Sequence, residues 1–254
     1  MTAWLWRVAG LGVVAALIAG WSEIAALKWV SPVFLPPPER AWAALVHGLA
    51  HSDLGVKLSG TIEHMLAGWL IASILGIALG ALIGSSALAR TYVGPTLEFL
   101  RPLPASAVIP VAIAIFGFTP AMALGVIGFG AIWPMLLSTM HGFAAVEPRL
   151  GEVARALRLS RWQAAWKISL PSAAPDILAG LRLGLTVSLI LAVVCEMIAG
   201  LDGLGQWVLL AARSYKSADL FAGVILLGAI GLVANSALSL AEGRLLRWRG
   251  ASGG

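Results

Sequence analysis

Apolar runs of membrane length, divided by short charged blocks, set the pattern of this chain. Val8 to Leu27 is interrupted only by Ser22 and Glu23 near its far end. Further runs cover Ile62 to Ile83, Leu103 to Phe118, Ala121 to Met140, Ile177 to Ala199 and Leu220 to Leu240. A helix rises about 1.5 Å per residue, so about 20 apolar residues cross the hydrocarbon of a bilayer. The pattern predicts an all-α polytopic membrane protein with six transmembrane helices, at about 8–27, 62–83, 103–118, 121–140, 177–199 and 220–240. The third run is short and carries Pro104 and Pro110, which predicts a bent or broken helix. No long linker divides the chain, so 1–254 reads as one transmembrane domain. Arg7 ahead of the first run also suits a secretory leader, but about 20 residues is long for one and no small-x-small cleavage site follows.

Two segments between the runs have patterns of their own. From Trp29 to Leu58, Pro36-Pro37-Pro38 stops a helix, and Glu39 to Leu49 then reads as a short amphipathic helix at the membrane interface. The loop 147–175 is too charged to be buried in lipid, yet helical in spacing. Pro148 suits a first helical position, and Leu150, Val153, Ala154 and Leu157 follow at helical intervals. Ser160 and Gln163 form a capping box that starts a second short helix from Arg161 to about Ile168, ended by Pro171 and Pro175. Trp162 and Trp166, four apart, share one face of it. On the residues alone two readings stay open: an aromatic knob that enters a groove on a partner, or an interfacial anchor among lipid headgroups.

Charge gives the orientation. The net charge is +5, and 11% of residues are charged, against about a quarter in a soluble domain. With six spans the termini share a side with Arg7, Arg90, Arg101, Arg149, Arg155, Arg158, Arg161, Lys167, Arg182, Arg244, Arg247 and Arg249; the other side has Lys28, Arg40, Lys57, Arg213 and Lys216. The positive-inside rule puts both termini in the cytoplasm and makes lipid, not nucleic acid, the partner of the basic blocks. Cys195, the single cysteine, is read as a buried inert thiol. His47, His51, His64 and His141 have no metal-ligand spacing and are assigned no chemistry. Glu23 and Glu63, near span ends, read as solvated. No Gly-x-x-x-x-Gly-Lys-Ser/Thr phosphate loop and no Gly-x-Ser-x-Gly nucleophile motif occurs, so the chain is expected to be neither an ATPase nor an intramembrane enzyme. Glu196 is the ionisable group deepest in an apolar run and reads as a structural or gating residue bonded to the Gly-rich segment after it. As a proton site it would suit the alternative of an ion-gradient-driven secondary transporter. Arg182, at the inner end of its span, would pair with the charged loop or face a path. Gly76, Gly80 and Gly84 make a small-residue stripe, suited to packing within the chain or to a dimer seam.

The loop carries a resemblance. Glu152-Val153-Ala154, three residues to Arg158, then nine to Ile168-Ser169-Leu170-Pro171, is similar to the EAA loop of binding-protein-dependent ABC importer permeases, Glu-Ala-Ala, three residues, Gly, nine residues, Ile-x-Leu-Pro. Val153 replaces an Ala and Arg158 the Gly; Arg158 in the left-handed conformation that Gly takes would cost roughly 1 kcal/mol. Trp21-Ser22-Glu23, Phe34-Leu35-Pro36-Pro37-Pro38, Arg101-Pro102-Leu103-Pro104 before Ile109-Pro110, Gly180-Leu181-Arg182-Leu183-Gly184, and Glu196-Met197-Ile198-Ala199-Gly200 before Gly203-Leu204-Gly205 resemble the nitrate, sulfonate and taurine group of these permeases in order and spacing.

The resemblance implies a type I ABC importer permease fold in the bacterial inner membrane, with a cytoplasmic coupling helix in a cleft of an ATPase dimer. It implies a second permease copy, a homodimer, and a periplasmic or lipid-anchored solute-binding protein. ATP and Mg would sit on the ATPase, with no cofactor on this chain. Nucleotide closes the ATPase pair, the coupling helices move together, and the path alternates between its two sides. Glu152, Ala154, Arg155, Leu157, Arg158, Ser160, Trp162, Trp166, Leu170 and Pro171 would couple to the ATPase. Arg182, Glu196 and Pro110 would line or gate the path. Gly203, Gly205, Arg213 and Lys216 would touch the binding protein. The implied cargo is a small anion: an aliphatic sulfonate such as taurine, then nitrate or bicarbonate.

Overall fold

The computed structural model describes residues 2–247, apart from the side chains of 2–8, 11 and 161. Among the described residues the regular structure is all helical. α1 is Thr2–Ala26, α2 Pro38–His51, α3 Leu54–Gly84, α4 Ala87–Leu100, α5 Ala105–Phe116 and α6 Pro120–Ala144. α7 is Pro148–Ala156 and α8 Arg161–Ala164; a π-helical turn, Ala165–Ser169, leads into α9, Leu170–Ala199; α10 is Leu204–Arg213 and α11 Ser217–Leu245.

α3, α6, α11 and the continuous stretch Trp162–Ala199 are long and apolar enough to cross a membrane. The third predicted span differs. α5 has 12 residues, too few to cross alone, and follows α4 at a bend of 87°. α4 itself was not expected. Ser86 caps it, its hydroxyl accepting from the Ala89 amide at 3.3 Å. Pro102 and Pro104, which lack amide protons, then break the chain between α4 and α5. α1 covers the first predicted run and carries a shorter apolar helix, Gly12–Ala26, in its described part. Its described side chains are mostly exposed. The far end is pinned where Trp21 stacks on Phe221 at 5.1 Å and its Nε1 donates to the Pro36 carbonyl at 2.9 Å.

The predicted amphipathic helix is α2, with Pro38 in its first turn. It does not lie on lipid alone: Ala41, Leu45 and Gly48 are buried and the helix packs on α11.

α6 is the centre of the bundle, packed on α3 along one side and α9 along the other. The glycine stripe belongs to this intrachain packing. A Cβ on Gly80 would lie 2.5 Å from the Leu136 carbonyl oxygen, and one on Gly76 2.9 Å from Met135 Cβ. On the opposite side, a Cβ on Gly180 would meet the Pro134 carbonyl oxygen at 2.9 Å. These glycines let backbones approach closely, the main source of helix association where lipid tails are as apolar as the side chains.

Gly80→Ala should lower the stability of the detergent-solubilised protein by about 1–3 kcal/mol through overpacking. Gly228→Ala, with nothing within 4 Å of the new methyl, should leave the melting temperature unchanged or raise it. A Gly80→Ala protein that melts with the wild type would overturn this account of the α3–α6 contact.

Candidate functional site: a docking elbow, an outer lock and a cavity

The elbow between α6 and α9 is built from two capped turns. Arg158 takes φ 50°, the left-handed conformation. Its amide donates to the Arg155 carbonyl at 3.0 Å, and the Leu159 amide to the Ala154 carbonyl at 2.9 Å. These paired bonds define a Schellman motif with Arg158 where glycine is usual, so the turn carries the strain. Two residues on, the capping box forms: the Gln163 amide donates to Ser160 Oγ at 3.2 Å, and the Ser160 amide to Gln163 Oε1 at 3.0 Å. Within this elbow Ala154 is buried, while Glu152, Arg155, Leu157 and Arg158 are exposed.

Pro171 and Pro175 do not end the second helix. The π-helical turn joins α8 to α9 in one continuous rod, and both prolines lie within α9. The wide turn accommodates the donor that Pro171 lacks, and Ser172 Oγ bonds the Ile168 carbonyl at 2.8 Å. Leu170 and the two indoles border an apolar groove of about 710 Å³ with Ile74, Ala78 and Leu82 of α3. Trp162 and Trp166 meet edge to face at 5.5 Å there. Both indoles remain largely exposed beside that groove, as do the charges of α7.

At the opposite end of α9, Glu196 is fully buried and fully engaged. Its Oε2 accepts from Thr61 Oγ1 and from the Gly205 amide, each at 2.9 Å, and its Oε1 lies 3.0 Å from His64 Nδ1. Thr61 Oγ1 accepts in turn from the Leu204 amide at 2.8 Å. A buried carboxylate is costly unless its lone pairs are used, and here the Thr61 hydroxyl and the Gly205 amide donate to it, with the His64 ring within hydrogen-bond distance. The bond to the Gly-rich segment was expected; Thr61 and His64 were missed. The available signal was their i, i+3 spacing on one face of α3. Gly203 and Gly205 are buried: a Cβ on Gly203 would lie 2.1 Å from Glu196 Cδ, and one on Gly205 2.4 Å from the Val193 carbonyl oxygen. They hold the lock closed and offer no surface to a binding protein. Arg213 and Lys216 are exposed at the α10–α11 turn. Outside the lock, Lys57 bonds Asp202 at 2.6 Å, which holds the Asp202 carboxyl below its ordinary value.

A mainly apolar cavity of about 740 Å³ with several polar groups opens between the α4–α5 bend, α6 and α9. Arg101, Trp133, Ser138, His141 and Asp176 face it. None of the three residues read as path or gate lines it. Glu196 is sealed in the lock, and Pro110 lies exposed on α5. Arg182 turns to α11, where its guanidinium pairs with Glu242 and donates to Ser239 Oγ at 2.9 Å. The partner of Arg182 is therefore Glu242, sixty positions away in sequence, and not the charged loop.

A bundle of membrane-length helices with a capped helical elbow between its two central members has the type I ABC importer permease fold. A chain of the MetNI methionine ABC transporter, solved in inward-facing conformations, matches it with a TM-score of 0.64 at 18% identity, over 76% of this chain and 94% of that one. Residues 59–248 match the family described as binding-protein-dependent transport system inner membrane component. The chain belongs to that family: it is a multi-pass inner-membrane permease subunit of an ABC importer, which works with an ATPase and a solute-binding protein. Its relatives include the putative aliphatic sulfonates transport permease protein SsuC of Bacillus subtilis (strain 168), 33% identical over 94% of this chain and 87% of that one. The taurine transport system permease protein TauC of Escherichia coli (strain K12) is 29% identical over 97% and 94%. The nitrate import permease protein NrtB of Leptolyngbya laminosa is 32% identical over 75% and 68%.

Two outcomes test this geometry. Arg158→Gly should relieve about 1 kcal/mol of strain and slow hydrogen exchange at the Leu159 amide about fivefold; unchanged exchange would deny the strain. Glu196→Ala leaves the Thr61 hydroxyl and the Gly205 amide without their acceptor and should cost about 2–4 kcal/mol in thermal unfolding, with Glu196→Gln costing less. Equal melting of wild type and Glu196→Ala would mean that the lock holds nothing.

Proposed function

We propose that this permease crosses the membrane six times with both termini in the cytoplasm, pairs with a second copy of itself, and carries a small sulfonate inward. The exposed charged face of α7 carries the reading: it stands clear of the bundle, yet joins α9 through the elbow and the π-helical turn. Glu152, Arg155, Leu157 and Arg158 engage a groove on the ATPase dimer. Ala154, Ser160, Trp162, Trp166, Leu170 and Pro171 belong to the same coupling element, with Ser160 setting the angle of the elbow and the exposed indoles offering an apolar face to the partner. Hydrolysis takes place on the ATPase, which holds ATP and Mg; this chain is non-catalytic. Arg213 and Lys216, exposed at the far end, meet a periplasmic or lipid-anchored binding protein. The excess of Lys and Arg on the α7 side supports the orientation. The sulfonate cargo is supported by the SsuC and TauC relatives. An ion-gradient mechanism would leave the exposed charged elbow without a role.

Charge reversal at Glu152 and Arg155 together (Glu152→Lys with Arg155→Glu) should cut ATP-dependent uptake in proteoliposomes more than tenfold and weaken co-purification of the ATPase, while membrane insertion stays intact. Uptake at the wild-type rate would remove α7 from the coupling path. Uptake by the wild type that continues without ATP but collapses with the proton gradient would favour the secondary transporter.

A further inference from the structure

Four histidines occur in the chain, and the Glu196 lock uses one of them. They were assigned no chemistry from the sequence; α2 corrects this for two. His47 and His51 stand four residues apart, one turn of the same helix, and both are exposed. Their rings lie side by side, with centroids 5.0 Å apart and 17° between the planes. A different side of α2 is seated on the bundle through Ala41, Leu45 and Gly48. Gly48 leaves no slack there: a Cβ on it would lie 2.6 Å from Leu54 Cδ2. The stretch of helix between the two rings is therefore held by packing, and their spacing is set before any ligand arrives.

That spacing fits a chelated cation. A zinc-like ion sits about 2.1 Å from a ring nitrogen, hence about 3.2 Å from the centre of that ring. Two rings that meet it at an angle of about 90–110° have centres about 4.5–5.2 Å apart, and the observed 5.0 Å falls within that range. The χ2 torsion of histidine is broad, so turning one nitrogen of each ring onto a shared ion costs little. We propose that His47 and His51 form a two-histidine site for a divalent transition-metal ion such as Zn²⁺ or Cu²⁺.

The donors select this class of ion. Imidazole nitrogen suits Zn²⁺ and Cu²⁺, with Cu²⁺ the tighter, whereas Ca²⁺ and Mg²⁺ take oxygen ligands. Among the described residues no group of three His, Cys, Asp or Glu side chains could hold a metal, so water completes the coordination. Asp53, the nearest carboxylate in sequence, is turned to Lys57 at 3.6 Å. The site lies on the segment that joins α1 to α3, at the same end of the molecule as the lock. An ion held there clips the last turn of α2 just ahead of Thr61 and His64, the α3 residues that meet Glu196.

The test is calorimetric titration of the full-length chain, purified in detergent without a histidine tag, with ZnCl₂, CuCl₂ and MgCl₂. The wild type should bind one Zn²⁺ per chain, Cu²⁺ more tightly, and Mg²⁺ not at all. His47→Ala and His51→Ala should each weaken Zn²⁺ binding by about tenfold or more, since losing even an outer partner of a metal ligand commonly costs that much. Leu49→His combined with His51→Gln keeps the number of histidines but places them on different faces of α2, at a position that is 43% exposed; it should bind no better than the single variants. Zn²⁺ in large excess over its Kd should raise the melting temperature of the wild type by several degrees and leave those of the three variants unmoved. No Zn²⁺ binding by the wild type, or binding by either alanine variant or by the relocated pair that equals it, would overturn the proposal.

Discussion

The close approach of backbones across α6 is the contact on which the rest of this molecule depends. In hydrocarbon, apolar side chains gain little by leaving lipid for one another, so helices must be held by fit and by polar bonds. Gly76 and Gly80 of α3 and Gly180 of α9 bring both helices onto the α6 backbone at Met135, Leu136 and Pro134. A substituent at any of these points pushes two rods apart along their length. The bundle is therefore held tightly at its middle.

Those ends are fastened differently. On one, Glu196 ties α9 to α3 and to the start of α10 through buried bonds. On the other, α9 runs without interruption into the π-helical turn and the elbow, where charged side chains stay exposed. Force applied at the elbow meets a lever whose far end is anchored. The cavity containing Arg101 and Asp176 lies between α6 and α9, along the first two thirds of that lever.

Local chemistry was legible in the sequence and partnership at a distance was not. Ser160 and Gln163 announce their capping box because both bonds close within three residues. The left-handed turn at Arg158 follows from its place in the motif. The glycine stripe is visible, but nothing in its spacing says that Leu136 and Met135 fill it. Glu196 meets His64 across 132 positions, and a lone histidine near a span end has no mark that sets it apart. Arg182 was misplaced for the same reason, its carboxylate lying on α11. The α4–α5 bend shows a different limit: Pro102 and Pro104 say where a helix must break, while the 87° turn after the break is decided by packing. Pro171 and Pro175 were read as a stop because proline disrupts an α-helix, but the wider turn before them admits the ring.

That wider turn also sets a phase. A π-helical turn holds one residue more than an α-helical one, and each residue advances an α-helix by about 100°. The extra residue between Ala165 and Ser169 thus fixes how the indole-bearing face of α8 is rotated relative to the face of α9 that bears Asp176. Were the turn to tighten to α, the rod would stay unbroken while its two faces swivelled against each other. The segment between elbow and cavity is in effect a torsional joint, able to turn a twist at the membrane surface into a reorientation of one carboxylate.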